Sequence, residues 1–179
     1  MDNHRYELII NNGNIVNSLD NDDEYIIYIF QNPVSNNDDQ LINQIKTMNG
    51  IYVILNISSK ICNIREVDYN EYDIFNEKNI NTFKKYIENP KCIKIILAFG
   101  EYLRRKFKNK FNYFYYDILK IMEPYEDKLY CYNLTNNYKL PYLGHGSNIL
   151  KEKLIPYKIS NYLFYTIDTL LKNRTVYRF

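Results

Sequence analysis

The chain has 179 residues, enough for one domain with a sizeable buried core. Its composition, 46% hydrophobic and 25% charged, excludes a largely disordered protein, and a net charge of +2 is too small to indicate nucleic-acid binding by itself. No apolar run approaches the ~18 residues that a membrane-spanning helix requires, and the N-terminus lacks the basic-then-apolar layout of a secretory signal. We therefore expect a cytoplasmic protein that does not enter a membrane.

The small numbers of cysteines and histidines limit the disulfides and metal sites that the chain can form. The three cysteines, Cys62, Cys92 and Cys131, are odd in number and show no Cys-x-x-Cys spacing. This pattern argues against a disulfide framework or a zinc site and favours a reducing compartment. With only two histidines in the chain, we expect no metal and no cofactor. The 20 tyrosines occur without any tryptophan. We interpret them as codon bias of an AT-rich genome rather than as a base-stacking surface.

The predicted strands come first in chain order. Two short apolar segments, 6–10 and 15–16, flank Asn12-Gly13, which predicts a β-hairpin, and an acidic linker follows at 17–24. Four further runs are nearly continuous in Ile, Val, Leu, Tyr and Phe, as expected of strands covered on both faces. They are residues 25–30, 51–56, 92–99 and 128–134.

Segments with helical periodicity lie between and after these strands. The predicted helices cover residues 41–48, 79–88, 101–122 and 159–171. Alternating strands and helices predict parallel pairing with right-handed crossovers. We therefore expect an α/β fold, a three-layer α/β/α sandwich with a central, mostly parallel four-stranded sheet. A single domain would span 1–179, with the hairpin and linker at 1–24, the core at 25–148 and a C-terminal helical segment at 149–179.

In sheets of this kind, ligands bind beyond the carboxyl ends of the strands. The first such loop contains Gln31, Asn32, Pro33 and Ser35. Asn32 precedes proline, so its backbone turns outward, and its amide offers donors and an acceptor for a water or a base edge. Ordinary turn chemistry explains the same residues equally simply.

The second and third strand ends supply Asn56 and Gly100. Gly100 permits close approach of a backbone or a ligand, although a tight turn also needs a glycine. The basic run behind it includes Arg104 and Arg105, which could hold phosphate or simply form a solvated helix face.

The segment after the fourth strand is long and polar, and it contains Thr135, His145 and Ser147. His145 is flanked by glycines and could act as a proton donor or stabilise negative charge, because histidine titrates near neutrality. Alternatively, Ser147 and Asn148 cap a helix starting near Ile149, and His145 is incidental.

Taken together, these strand-end residues resemble domain-of-unknown-function family 1643, which is found in bacteria and phages. The matching residues are Asn32-Pro33 with Ser35, Asp38-Asp39, Ile54-Leu55-Asn56, Ala98-Phe99-Gly100, and Leu134-Thr135 with Pro141 and His145. The layout also resembles the uracil-DNA glycosylase superfamily, with its Asn-Pro or Asp-Pro loop and its His-Pro-Ser loop. That resemblance implies that Asn32 orients a water or reads the base and that His145 stabilises the leaving base. It offers Phe30, Tyr138 or Tyr142 as the stacking aromatic.

Three functions follow from the residues and the resemblance. The first is a nucleobase- or nucleotide-binding protein, such as a virus or phage could encode, whose partner is a base, a nucleotide or DNA. The second is an active DNA glycosylase-like hydrolase. The third is a sequestering protein for a host signalling nucleotide, or a protein-interaction module with a vestigial pocket. Oligomeric state is left open.

Overall fold

The computed structural model describes residues 5–31, 40–59, 76–101, 114–144, 146–163 and 165–167. Nine strands lie in these ranges, and seven of them form one mixed sheet. They are β1 (Glu7–Asn11), β2 (Asn14–Val16), β3 (Tyr25–Phe30), β4 (Ile51–Asn56), β5 (Cys92–Leu97), β6 (Leu129–Cys131), β7 (Asn133–Leu134), β8 (Pro141–Tyr142) and β9 (Ile155–Pro156). The order in the large sheet is β2-β1-β4-β3-β5-β6-β9, and β7 and β8 form a separate two-stranded sheet.

The α/β class is confirmed, but the sheet is wider than expected. The four predicted strands correspond to β4, β3, β5 and β6, and each pairs in parallel with its neighbour. Antiparallel strands extend this parallel centre on both sides, β1 with β2 beyond β4 and β9 beyond β6. The expected four-stranded sheet is thus the centre of a seven-stranded one. Strand β9 is only two residues long and follows a polar segment, so periodicity gave no signal for it.

The N-terminal hairpin is confirmed. Asn12 and Gly13 both have positive φ, 44° and 84°, and Asn11 pairs directly with Asn14. A two-residue loop with two positive φ angles is the turn that Asn-Gly favours, because it matches the twist of the strands. The hairpin is not a separate ribbon, since β1 pairs along its whole length with β4, from Glu7–Leu55 to Asn11–Ile51.

In the described ranges, α1 (Gln40–Lys46), α2 (Glu77–Ile87) and α3 (Phe114–Met122) cover the two faces of the sheet. One face is buried against α2, α3 and the C-terminal Tyr157–Tyr162 region. The other is buried against Ile42 and Ile45 of α1 and against Leu143 and Ile149. Both faces of β3 are therefore in the core, as its continuous apolar sequence predicts.

Two predicted boundaries are wrong. The segment 128–134 is not one strand, because the chain leaves the large sheet after Cys131 and β7 pairs with β8 instead. The predicted helix from Ile159 is not continuous: it begins as a 3-10 turn, Ile159–Asn161, Tyr162 is extended, and residues 165–167 are again helical. Residues 164 and 168–171 of that predicted helix lie outside the described residues. In both cases a contact with a distant strand or helix overrides the local apolar pattern.

None of the helices in the described ranges combines the length and apolarity needed to cross a membrane.

Substituting Gly13 tests how the hairpin is docked. A Cβ on Gly13 would lie 2.8 Å from the backbone oxygen of Lys46 at the end of α1, and the residue has a φ of +84°. We expect Gly13→Ala to lower the free energy of unfolding by about 2–4 kcal/mol, from backbone strain plus the clash. Gly146→Ala is the matched control, because its φ is +78° but a Cβ there meets nothing within 4 Å. Urea denaturation of both variants makes the measurement, and equal losses would show that the Lys46 contact is unimportant.

Because two thiols are buried, we predict that the free energy of unfolding decreases at alkaline pH. Burial raises the pKa of Cys92 and of Cys131 to about 11, from an ordinary value of 9.0. The folded state therefore holds these protons more tightly than the unfolded state, and this contribution is complete below about pH 9. We expect the free energy of unfolding to fall as the pH rises from about 9 to about 11, and to fall less in Cys131→Ala. A constant free energy across this range would contradict the prediction.

Candidate functional site

The strand order defines one edge of the sheet at which ligands are expected. From β3 the chain crosses to β4 on one side and then to β5 on the other, so the direction of winding reverses between β3 and β5. In doubly wound sheets the ligand crevice lies outside the carboxyl ends of the strands at such a reversal. The described residues that directly follow β3 and β5, Gln31 and 98–101, flank this point.

Backbone hydrogen bonds hold these strand ends together beyond the regular pairing. Ile57 N–H donates to the Phe30 oxygen at 3.0 Å, and Ser58 N–H donates to the Gln31 oxygen at 2.8 Å. On the other side of β3, Ala98 N–H donates to the Ile29 oxygen at 2.9 Å. Gln31, Asn56 and the residues before Gly100 therefore end side by side.

Gln31 and Asn56 are buried at this edge with unpartnered side-chain nitrogens. Their side chains are only 7% and 1% exposed. Within the described part of the chain, neither Gln31 Nε2 nor Asn56 Nδ2 has a hydrogen-bond partner. A buried donor without a partner costs about 1–3 kcal/mol, so most native structures avoid it. Two such donors on adjacent strand ends indicate a place where an acceptor from outside is expected.

The strand register orients the Asn56 side chain. Asn56 is in register with Phe30, so both side chains point to the face covered by α1. Regular strand alternation ends before Gln31, because the successive backbone oxygens of Phe30 and Gln31 both accept from the residues that follow Asn56. Gln31 and Asn56 nevertheless lie side by side at the strand ends.

Asn79 on α2 is a residue at this edge that sequence reasoning missed. Its side chain is fully buried, and its Nδ2 donates to the backbone oxygen of Asn56 at 2.9 Å. Its own N–H is capped by the side chain of Asn76 at 3.1 Å. The signal was available, because Asn79, Phe83 and Ile87 are four residues apart and share one face of the helix.

Gly100 joins the third strand end to the small sheet. It has a φ of +70°, its N–H donates to the Pro141 oxygen at 2.7 Å, and its oxygen accepts from the Tyr115 hydroxyl at 3.0 Å. A Cβ here would lie 3.6 Å from Cδ2 of Tyr142, whose side chain is 41% exposed. An exposed aromatic ring thus stands beside Gly100.

Of the three aromatic candidates for stacking, Tyr142 is the best placed. Phe30 is buried and stacks on Tyr28 with ring centroids 5.8 Å apart. Tyr138 packs against the core on the other face. Only Tyr142, among these three, presents a largely exposed ring at the carboxyl edge.

Two buried tyrosine hydroxyls connect β3 with the chain that follows β6, near the same edge. The hydroxyls of Tyr28 on β3 and Tyr132 after β6 lie 3.0 Å apart, across β5. Burial raises the pKa of both groups. They are therefore neutral at physiological pH, and their contribution is to position the strand ends rather than to transfer protons.

Thr135 and Ser147 have structural contacts. Thr135 is buried, and its Oγ1 accepts from Leu140 N–H at 3.2 Å, which closes the turn between β7 and β8. The backbone oxygen of Ser147 accepts from Nε2 of Gln44 on α1 at 3.1 Å. The predicted helix at Ile149 is one turn, in which Asn148 Oδ1 accepts from Leu150 N–H at 3.1 Å.

Six of the predicted site residues lie outside the described residues. They are Asn32, Pro33, Ser35, Arg104, Arg105 and His145. Of the remaining five, the structure brings Gln31, Asn56 and Gly100 to one edge of the sheet.

A second concave surface lies beside α2. It has a volume of about 560 Å³ and none of the predicted site residues lines it. Its lysines already have partners, because Lys78 Nζ lies 4.2 Å from the centre of the Tyr6 ring and Lys85 Nζ lies 3.5 Å from Glu7 Oε2. The strand ends, with their unpartnered amides, are the stronger candidate.

No protein-family model, no curated protein and no solved structure matches the chain. The functional interpretation therefore depends on the residues at the edge of the sheet.

Removing the Asn79 amide tests whether this edge is held by side-chain hydrogen bonds. We expect Asn79→Leu to lower the free energy of unfolding by about 1–3 kcal/mol, since the buried Asn56 oxygen loses its donor. Thr82→Ala is the control on the same helix, because its hydroxyl bonds only to its own helix at Lys78 and is exposed. Urea denaturation with an unchanged m-value measures the loss. An Asn79→Leu variant as stable as the wild type would show that the bond is dispensable.

Proposed function

We propose that the chain binds a nucleobase, free or as part of a nucleotide or DNA, at the carboxyl edge of its sheet. The observation that carries this proposal is the pair of buried, unpartnered amide nitrogens, Gln31 Nε2 and Asn56 Nδ2. Their position beside the reversal of strand order is where doubly wound sheets bind ligands.

The chemistry of the two groups selects the kind of base. Both unpartnered atoms are N–H donors, so the matching ligand presents acceptors. Because the two donors lie on adjacent strand ends, a flat ring with two carbonyl oxygens suits them. Uracil has oxygens on either side of N3 and satisfies this requirement, and hypoxanthine offers one such oxygen with a neighbouring ring nitrogen.

An exposed aromatic ring supports the same class of ligand. Tyr142 stands beside Gly100, which has no side chain to block approach. Stacking on an aromatic side chain is a common way to hold a base that has left its duplex.

The glycosylase-like architecture remains part of this proposal. It is supported by the parallel order of β4, β3, β5 and β6 and by the helices on both faces. The residues to which the resemblance assigns catalysis, Asn32 and His145, lie outside the described residues. We therefore propose binding as the function, with base release as the experimental alternative.

If the proposal is right, Asn56→Leu weakens ligand binding without lowering the free energy of unfolding. Leucine removes a buried donor without a partner, so the free energy of unfolding should stay unchanged or rise. Calorimetric titration with uracil, uridine monophosphate and hypoxanthine should show binding by the wild type and about tenfold weaker binding by Asn56→Leu.

Asn81→Leu is the matched control, because Asn81 is exposed and lines the second concave surface, beside α2. This variant should bind the three probes like the wild type. If Asn81→Leu weakens binding and Asn56→Leu does not, the ligand occupies that concave surface and the proposed site is wrong. If no probe binds the wild type, the proposed function is wrong.

Incubation with uracil- or hypoxanthine-containing DNA distinguishes binding from catalysis. Free base in the supernatant would show hydrolysis, whereas retention of the DNA without release would support a binding protein.

A further inference from the structure

Gln44 connects helix α1 to a segment more than 100 residues away. Its Nε2 donates to the Ser147 oxygen at 3.1 Å, and its Oε1 accepts from Ile149 N–H at 2.7 Å. One primary amide thus makes both kinds of hydrogen bond with the same stretch of backbone. Such a pair fixes the position and the orientation of that backbone together.

Packing supports the same attachment. Ile149 is buried in the cluster that also contains Ile42 and Ile45 of α1. The backbone within the segment turns tightly, since Ser147 N–H donates to the Gly144 oxygen at 3.1 Å. Gln44 itself is only partly buried, so the amide is placed for these bonds rather than for filling the core.

The connection spans two parts of the proposed base site. Helix α1 packs on the face of the sheet to which Phe30 and Asn56 point. Residues 146–149 follow β8, which carries Tyr142 and is bonded to Gly100 through Pro141. A shift of residues 146–149 relative to α1 would therefore change the spacing between Tyr142 and the strand end that carries Asn56.

We propose that Gln44 is a positioning residue of the base site, which holds residues 146–149 in the binding-competent place. This inference rests on the proposed function. When the competent arrangement is populated only in part, the apparent dissociation constant rises by the inverse of that fraction. Loss of the Gln44 bonds should therefore weaken base binding without removing any group that touches the base.

Gln44→Glu tests this role, because the introduced carboxyl group gains or loses a hydrogen-bond donor with pH. An ionised glutamate still accepts from Ile149 N–H but cannot donate to the Ser147 oxygen. Below its pKa of about 4.3 the protonated carboxyl regains a donor and restores both bonds. Gln44→Ala lacks both groups at every pH. Gln40→Ala, an exposed position on the same helix, is the control.

Two readouts follow from this design. At neutral pH, hydrogen exchange of the amides of residues 146–150 should be faster in Gln44→Glu and Gln44→Ala than in the wild type. Uracil binding should be about tenfold weaker in both. At about pH 4, where about two-thirds of the glutamate is protonated, exchange and binding should shift back towards wild-type values in Gln44→Glu only, compared with the wild type at the same pH.

Each outcome decides the inference. If the wild type binds uracil and both Gln44 variants bind it equally well, the positioning role is wrong and the proposed function stands. If exchange increases but binding does not recover in Gln44→Glu at low pH, the bonds serve stability alone. If the wild type binds no base, the proposed function fails and this role fails with it.

Discussion

The rest of the structure depends on the burial of β3 on both faces between two parallel neighbours. Its six residues, Tyr25–Phe30, are almost entirely inaccessible, and it pairs with β4 on one side and β5 on the other. Because parallel strands run in one direction, this arrangement brings their carboxyl ends to a single edge. It also obliges the connecting helices to cover both faces, since neither face can be left in water.

That constraint explains why amide side chains meet at one place although they are far apart in the chain. Gln31 follows β3 and Asn56 ends β4, its direct neighbour, and Asn79 reaches the same edge from α2. The side-chain nitrogens of these residues differ in their partners. The nitrogen of Asn79 donates to a backbone oxygen, although its Oδ1 is buried without a partner among the described residues. The nitrogens of Gln31 and Asn56 have no partner in the described part of the chain and impose a cost. A cost of this kind is offset when a ligand supplies the missing acceptor.

Tyrosine has a larger structural role than composition suggested. Codon bias is compatible with the number of tyrosines, but several are core residues with satisfied hydroxyls. Tyr25 donates to the Tyr86 oxygen, Tyr28 pairs with Tyr132, and Tyr115 donates to the Gly100 oxygen. A buried tyrosine supplies apolar area and one polar atom that must find a partner. These partners tie β3 to α2, β3 to the end of β6, and α3 to Gly100, so they contribute to the geometry of the edge.

The sequence by itself determined the elements whose signals are local. The Asn12-Gly13 turn, the continuous apolar strands and the helices α1 and α2 follow from turn chemistry and periodicity within a few residues. The strand-end rule also identified Gln31, Asn56 and Gly100 as neighbours. Only the tertiary structure decided the width of the sheet, the β7–β8 pairing, the use of the Thr135 hydroxyl in a turn, and the contacts of Asn79 and Gln44. The physical reason is that each of these depends on a partner that is distant in the chain and is brought close by folding. A short window of sequence does not identify that partner.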